Sequence, residues 1–174
     1  KYMALVPEKI KFQYVTGEIH HVFGTAYPLQ VCLGMRDDAV VSTDGELQLV
    51  LRTKQREREK VFKAGMKRIL LWEIEKQLEI WTKRMAIPES RITGVTIRVM
   101  KSRWGSCRRV TGRFSFALDL VTKPKECIEA VVVHELCHLF AAGHGPDFYA
   151  RMETYLPDYK ERDRLLSSLP RELV

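Results

Sequence analysis

The chain has 174 residues, 45% hydrophobic and 29% charged, which is enough for one globular domain with a real core. Its 29 basic and 22 acidic residues give a net charge of +7, which favours anionic partners but does not determine a fold or a reaction. No apolar run approaches the ~20 residues that cross a bilayer, and residues 1–12 lack the apolar core of a signal peptide.

Residues 1–53 are predicted to form an N-terminal β-rich region, a β-meander of short strands. Alternating apolar and polar residues predict strands over 10–15, 20–23, 27–33, 40–43 and 46–52. Asp44-Gly45, between the last two strands, is a strong signal for a two-residue hairpin turn. Residues 54–174 are predicted to form the catalytic domain, joined with the first region in one compact unit.

A long helix is predicted over residues 54–85, which contain no proline and one glycine. Apolar residues recur there at helical spacing, namely Leu70, Ile74, Leu78, Trp81 and Met85. The mixed charges from Arg56 to Lys67 are typical of a solvated helix face. A contact with nucleic acid or a nucleotide is the alternative interpretation of this basic face.

Beyond Pro88, strands are predicted over residues 95–100 and 113–121. Pro124 suits the first turn of a helix over 125–142 that is apolar on all sides and therefore expected to be buried. Gly143 is its predicted C-cap, and two short helices follow over 147–154 and 158–169.

The four cysteines contain no C-x-x-C pair and are typical of reduced thiols; they are Cys32, Cys107, Cys127 and Cys137. Together with the lack of a membrane segment, this predicts a cytoplasmic protein without a membrane partner.

The predicted buried helix carries the pattern His134-Glu135-Leu136-Cys137-His138. Histidines four residues apart lie on one helix face, with Cβ atoms roughly 5–6 Å apart, so both imidazoles can bind one metal ion. This H-E-x-x-H pattern is typical of zinc hydrolases, in which the glutamate is the general base for a zinc-bound water. Histidine and glutamate are rarely buried in an apolar helix without a partner, which favours a metal site over core histidines.

His144 is the predicted third ligand, because a chain that leaves the helix through a left-handed Gly143 can return the next side chain to the ligand face. Three protein ligands leave one position of a tetrahedral zinc site for water. The spacing equals that of the metzincins, but their glycine would fall at Ala141, so this turn is expected to differ. The alternative ligands are Asp147, Cys137 and Glu153.

Two separate motifs resemble the YgjP-like metallopeptidase family, which is related to the SprT-like and WLM zincins. They are K-S-R-W-G-S-C at 101–107 and V-V-V-H-E-L-C-H at 131–138, the second followed by H-G-P-D-F at 144–148. The resemblance implies an α+β zincin-like domain that binds one Zn²⁺ through His134, His138 and His144, with Glu135 as the catalytic carboxylate. It also implies that the S-R-W-G-S-C segment lies beside the active site. Members are described as zinc peptidases, and some as metal-dependent UTP pyrophosphatases.

Four further side chains are candidates for substrate contact. Arg103 can bind a carboxylate or phosphate bidentately, and Lys101 can add a point charge beside it. Trp104 lies in the same segment, and Tyr149 can donate a hydrogen bond to an oxyanion. In the structural interpretation, Trp104 instead packs into the core and Arg103 pairs with a carboxylate.

The sequence therefore favours a zinc metallopeptidase in which Glu135 activates a zinc-bound water. The first alternative is a nucleoside triphosphate pyrophosphatase at the same metal, with phosphates held by Lys101, Arg103, Arg108, Arg109 and Arg113. The second is a non-catalytic nucleic-acid-associated module with a structural zinc, whose basic surface contacts phosphates. The expected partners are accordingly a peptide or protein substrate or a nucleotide, with a weak anionic or nucleic-acid contact through the basic surface.

Overall fold

The computed structural model describes residues 11–54 and 57–173. A first sheet contains β1 (Ile19–Val22), β2 (Thr25–Leu33), β3 (Asp38–Val41) and β4 (Leu47–Leu51). A second sheet contains β5 (Gly94–Arg98), β6 (Gly105–Arg108) and β7 (Arg113–Ala117). The helices are α1 (Arg58–Arg84), α2 (Lys125–Cys137), α3 (Pro146–Tyr155) and α4 (Tyr159–Ser168), with short 3-10 turns at Glu89–Arg91 and Leu118–Thr122. The predicted α+β class is confirmed.

The first sheet has the strand order β1-β2-β4-β3. The predicted hairpin between β3 and β4 is present, with Gly45 at a φ of 80° in its turn. Its turn is longer than the predicted two residues, because Val41 pairs with Leu47 and the N–H of Ser42 donates to the carbonyl of Glu46. The order nevertheless differs from a simple meander, because β2 pairs with β4 in parallel. This places β4 inside the sheet, where Leu47, Leu49 and Leu51 are almost completely buried. An edge position would leave these three leucines closer to solvent.

The strand predicted over 10–15 does not form in residues 11–15, while Ile10 lies outside the described residues. Tyr14 has a φ of 55°, which is incompatible with an extended strand. The backbone N–H groups of Gln13 and Tyr14 each donate to the carboxylate of Glu18 at 2.7 Å. The Glu18 side chain thus accepts the two hydrogen bonds that the backbone of a neighbouring strand would otherwise accept.

Helix α1 packs its predicted apolar stripe into the core, since the four periodic residues within it and the C-cap residue Met85 are all buried. Gly65 lies against β3, and a Cβ at this position would overlap the carbonyl oxygen of Ala39 and lie 2.6 Å from its Cβ. The single glycine of this helix therefore permits the close approach of helix and sheet. Although α1 has 27 residues, none of the helices in the described ranges combines the length and apolar character of a transmembrane span.

Substitution of Gly65 by alanine is expected to destabilise the fold by about 1–3 kcal/mol, because the backbone of β3 must move to accept the methyl group. Helix propensity alone would predict the opposite sign, with alanine more stable by about 1 kcal/mol. Chemical denaturation of Gly65→Ala measures the difference. Lys67→Ala, on the exposed side of the same helix, is the control, and a Gly65→Ala variant as stable as wild type would contradict this packing.

The second sheet has β7 at its centre, parallel to β5 and antiparallel to β6. The strand predicted over 113–121 ends at Ala117, and the rest of that apolar run forms the 3-10 turn at Leu118–Thr122. Edge strand β6 falls within the segment 101–109, where no strand was predicted. This strand borders α2, and the second sheet therefore lies beside the H-E-x-x-H helix.

Helix α2 is the predicted buried helix, but it ends at Cys137 rather than at 142. After His138 the hydrogen bonding changes to the tighter 3-10 pattern, in which the N–H of Leu139 donates to the carbonyl of Leu136, three residues earlier, at 3.0 Å. Gly143 is consequently not the C-cap, and its φ is not positive, so both predictions for this glycine are wrong. The four cysteines are free thiols.

Candidate metal centre

Three imidazoles converge at the C-terminal end of α2. The Nε2 atom of His134 lies 3.2 Å from Nε2 of His138 and 3.0 Å from Nε2 of His144. The candidate ligand atoms of the three residues all lie within 4.8 Å of one another. The structure thus brings the three predicted ligands together on one point.

Local structure explains this convergence. His134 and His138 lie one helical turn apart on α2, and the return loop before α3 brings His144 back to them. The buried ring of Phe148 packs against all three imidazoles, with ring centroids 4.7–4.8 Å apart. Phe148 ends the H-G-P-D-F segment recognised in the sequence, four residues after the third histidine, but no role was predicted for it.

Two of the three histidines, His134 and His138, lie in surroundings that favour the neutral imidazole. Burial, with the neighbouring imidazoles adding to it, lowers the pKa of His134 to about 4. Burial also lowers the pKa of His138, whose Nδ1 lies 3.3 Å from the carbonyl oxygen of Ala141. A proton on that Nδ1 leaves the Nε2 lone pair directed at the other two rings. A hydrogen bond of this kind fixes the tautomer of a metal-binding histidine.

The geometry fits zinc. Two ligands at about 2.0–2.1 Å in a tetrahedron lie about 3.3 Å apart, close to the nitrogen separations of 3.0 and 3.2 Å. The alternative ligands are placed elsewhere: Glu153 forms an ion pair with Lys160 at 2.8 Å, and Asp147 and Cys137 do not belong to the convergent group. A three-imidazole donor set suits a zinc ion.

Glu135 lies beside the histidines and is only 5% exposed. Burial raises its pKa to about 7, against the opposing charge of Arg103 and a hydrogen bond from the backbone N–H of Cys107. That N–H comes from edge strand β6, so the unpredicted strand lies against the carboxylate.

A cavity of about 610 Å³ opens in front of the three histidines. Three of the four predicted substrate-contact residues line it, namely Arg103, Trp104 and Tyr149, whereas Lys101 does not. Arg109 lines the cavity as well. No carboxylate of the described ranges forms an ion pair with Arg103. Its positive charge does, however, oppose the rise in the pKa of Glu135.

Comparison with known proteins identifies a family for this chain. A family model described as a YgjP-like metallopeptidase domain matches residues 1–169. The chain belongs to the YgjP-like metallopeptidase family. The crystal structure of the metallopeptidase zymogen of Pyrococcus abyssi abylysin is 24% identical, with a TM-score of 0.49 over 58% of this chain and 99% of that one. A search of curated proteins gave no match.

Membership of the YgjP-like family supports a metal-dependent hydrolase of the peptidase class and implies a bound metal.

Two contacts around Trp104 were not foreseen from the sequence of this YgjP-like protein. The guanidinium of Arg171 lies 3.7 Å from the centroid of the Trp104 ring and donates to the carbonyl of Met100 at 2.8 Å. Trp104 is half-buried rather than a core residue, and it forms a wall of the cavity that the C-terminal segment supports. Trp104 and Arg171 are 67 positions apart in the sequence, which leaves no local signal for this pairing.

Gly105 permits a close approach of strand β6 to the side chain of Glu135. A Cβ on Gly105 would lie 2.5 Å from Glu135 Oε1 and 2.8 Å from its Cγ. Any larger residue must therefore displace the carboxylate or shift β6.

Gly105→Ala is expected to lower hydrolysis on the order of 100-fold while zinc stays bound, because the displaced carboxylate loses its alignment. Gly143→Ala is a matched control, since a Cβ there meets no atom within 4 Å. Turnover and metal content of both variants test the contact. Full activity in Gly105→Ala would show that the carboxylate position is unimportant.

Proposed function

We propose that the chain is a zinc-dependent peptidase with His134, His138 and His144 as ligands and Glu135 as general base. The observation that carries the proposal is the convergence of three imidazole Nε2 atoms beside a buried carboxylate in one open cavity. A structural zinc site is closed by four protein ligands, whereas three converge here among the described residues. This ligand number favours catalysis over the non-catalytic module.

The metal and the residues around it have separate roles in the proposed hydrolysis. Zinc, when bound, lowers the pKa of a water molecule to about 7 and polarises a carbonyl. Glu135 accepts the proton of the attacking water on its carboxylate and then donates it to the leaving amine. The Cys107 N–H orients that carboxylate, and the positive charge of Arg103 favours its ionised form.

The cavity walls support proposals for substrate contact. Tyr149 is 44% exposed beside His144, with ring centroids 6.4 Å apart, and can donate from its hydroxyl to a developing oxyanion. Arg103 can bind a carboxylate of the substrate bidentately. Lys101 lies outside the cavity lining and is assigned no such contact.

A nucleoside triphosphate pyrophosphatase is the second candidate, favoured by the two arginines, Arg103 and Arg109, in the cavity lining. These guanidinium groups could bind a polyphosphate. Against this, phosphate chemistry usually uses Mg²⁺ held by carboxylates, and the convergent donors here are imidazoles.

A parallel assay on the zinc-loaded protein distinguishes the candidates. Peptide libraries and nucleoside triphosphates are incubated with wild type before and after chelation, and then after zinc is restored. We expect peptide cleavage that chelation abolishes and zinc recovers. Triphosphate hydrolysis without peptide cleavage would overturn the peptidase proposal in favour of the second candidate.

A further inference from the structure

The positive charge of this chain is concentrated in one segment. Residues 90–118 contain seven basic side chains and no acidic one, between Glu89 and Asp119. Because the whole chain has 29 basic and 22 acidic residues, the remainder carries 22 of each and is neutral. The net charge of +7 therefore comes from the segment that forms the second sheet and its loops.

Strand pairing arranges three of these cations on one face of the sheet. Arg108 on β6 is directly opposite Arg113 on β7, which is opposite Gly94 on β5. Arg98 lies four residues beyond Gly94 and hence on the same face, about 13 Å further along the strand. We define Arg98, Arg108 and Arg113 as the basic sheet face.

Small hydroxyl side chains lie between the arginines. Thr96 and Ser115 are paired in register on this face, and their hydroxyl oxygens lie 2.9 Å apart. Thr96 is exposed and Ser115 is half-buried. The surface between the cations is accordingly formed by short, polar side chains.

The arginines of the basic sheet face are exposed, and none forms an ion pair with a carboxylate in residues 11–54 or 57–173. Elsewhere the surface cations are commonly paired, as in Arg68 with Asp38 at 2.7 Å and Lys83 with Glu79 at 2.7 Å. Ion pairs within the chain thus account for several of the cations on the helices but for none on the basic sheet face.

We propose that the basic sheet face binds the phosphate backbone of duplex nucleic acid without reading its sequence. Phosphates follow one another about every 3.4 Å of rise along each strand, so the ~13 Å between the two ends of the face spans several of them. Arginine binds phosphate bidentately, and hydroxyl groups such as Thr96 also contact phosphate oxygens. The strand positions of this face carry no aromatic side chain on which unstacked bases could stack, which favours a duplex over a single strand.

The proposed surface adjoins the cavity but does not include it. Arg109, the neighbour of Arg108, lines the cavity, whereas Arg98, Arg108 and Arg113 do not. A duplex on the sheet would therefore lie next to the cavity opening. The inference rests on the charge and geometry of the sheet and not on the metal centre. It therefore holds whether the substrate is a peptide or a nucleotide.

Fluorescence anisotropy with a fluorescein-labelled DNA duplex tests the proposal on the full, zinc-loaded chain across a range of salt concentrations. The test variant is the double substitution Arg98→Gln and Arg113→Gln. The matched control is Lys67→Gln with Arg164→Gln, which removes the same charge from exposed positions on α1 and α4. Far-ultraviolet circular dichroism establishes that each variant is folded.

We expect wild type to bind the duplex with an affinity that falls steeply as salt rises. The test variant should bind about ten-fold more weakly at low salt and lose about two units of the salt slope, whereas the control should stay within about two-fold of wild type. Absence of duplex binding, or equal losses in both variants, would overturn the proposal. Binding to vesicles of phosphatidylcholine and phosphatidylserine without binding to duplex would also overturn it and assign the face to membranes.

Discussion

Replacement of Glu135 by glutamine is expected to lower peptide hydrolysis by about 100- to 10,000-fold while zinc remains bound, because the amide cannot accept the proton of the attacking water. The substitution preserves the size of a side chain that is only 5% exposed, so the fold should be unaffected. Turnover and metal content, measured on the same preparation, separate loss of the base from loss of the metal.

Glu126→Gln is the matched control for this result. Glu126 lies in the first turn of the same helix, is exposed, and does not line the cavity. Its removal should leave turnover unchanged. Hydrolysis by Glu135→Gln at the wild-type rate would mean that another group takes the proton, and the role assigned to Glu135 would be wrong.

Replacement of His138 by alanine is expected to abolish near-stoichiometric zinc binding and, with it, all zinc-dependent turnover. Two of three converging nitrogens remain in that variant, too few to complete a tetrahedral site with one open position. Zinc at about 100 times its Kd should stabilise wild type by about 2.7 kcal/mol, and this gain should disappear. Thermal unfolding with and without added zinc measures the effect.

His21→Ala provides a control for the loss of a histidine, because His21 pairs with Glu172 outside the metal centre. This variant should keep the zinc-dependent increase in Tm. A His138→Ala protein that retains one zinc ion per chain would require another ligand set.

The convergence of the three histidines was largely predictable because it depends on local spacing. The helical repeat places His134 and His138 on one face of α2 whatever the surrounding fold, and the third histidine follows within one short loop. The prediction was right about the convergence and wrong about its cause. The helix ends at Cys137, and the return loop does not use a left-handed Gly143.

The parts that sequence reasoning missed depend on contacts between distant segments. Edge strand β6 has no alternating apolar pattern, since Gly105 and Ser106 are small and Arg108 is exposed, so only its pairing with β7 reveals it. The parallel pairing of β2 with β4 likewise depends on which strand buries its leucines best, and not on any turn signal. The division at residues 53 and 54 stays a prediction.

The contact between Gly105 and Glu135 shows how the two motifs act together. The glycine in the S-R-W-G-S-C segment has no side chain where the carboxylate of the H-E-x-x-H helix lies, and Cys107 donates its N–H to that carboxylate. Each motif could be recognised in the sequence, but the contact between their atoms requires the folded chain.

X-ray absorption at the zinc edge of the purified protein tests the proposed open three-histidine site most directly. We predict one zinc ion per chain with three nitrogen ligands and one oxygen ligand, all at about 2.0–2.1 Å. A sulfur ligand at about 2.3 Å, as Cys137 or Cys107 would provide, or the absence of stoichiometric metal, would contradict the proposed site.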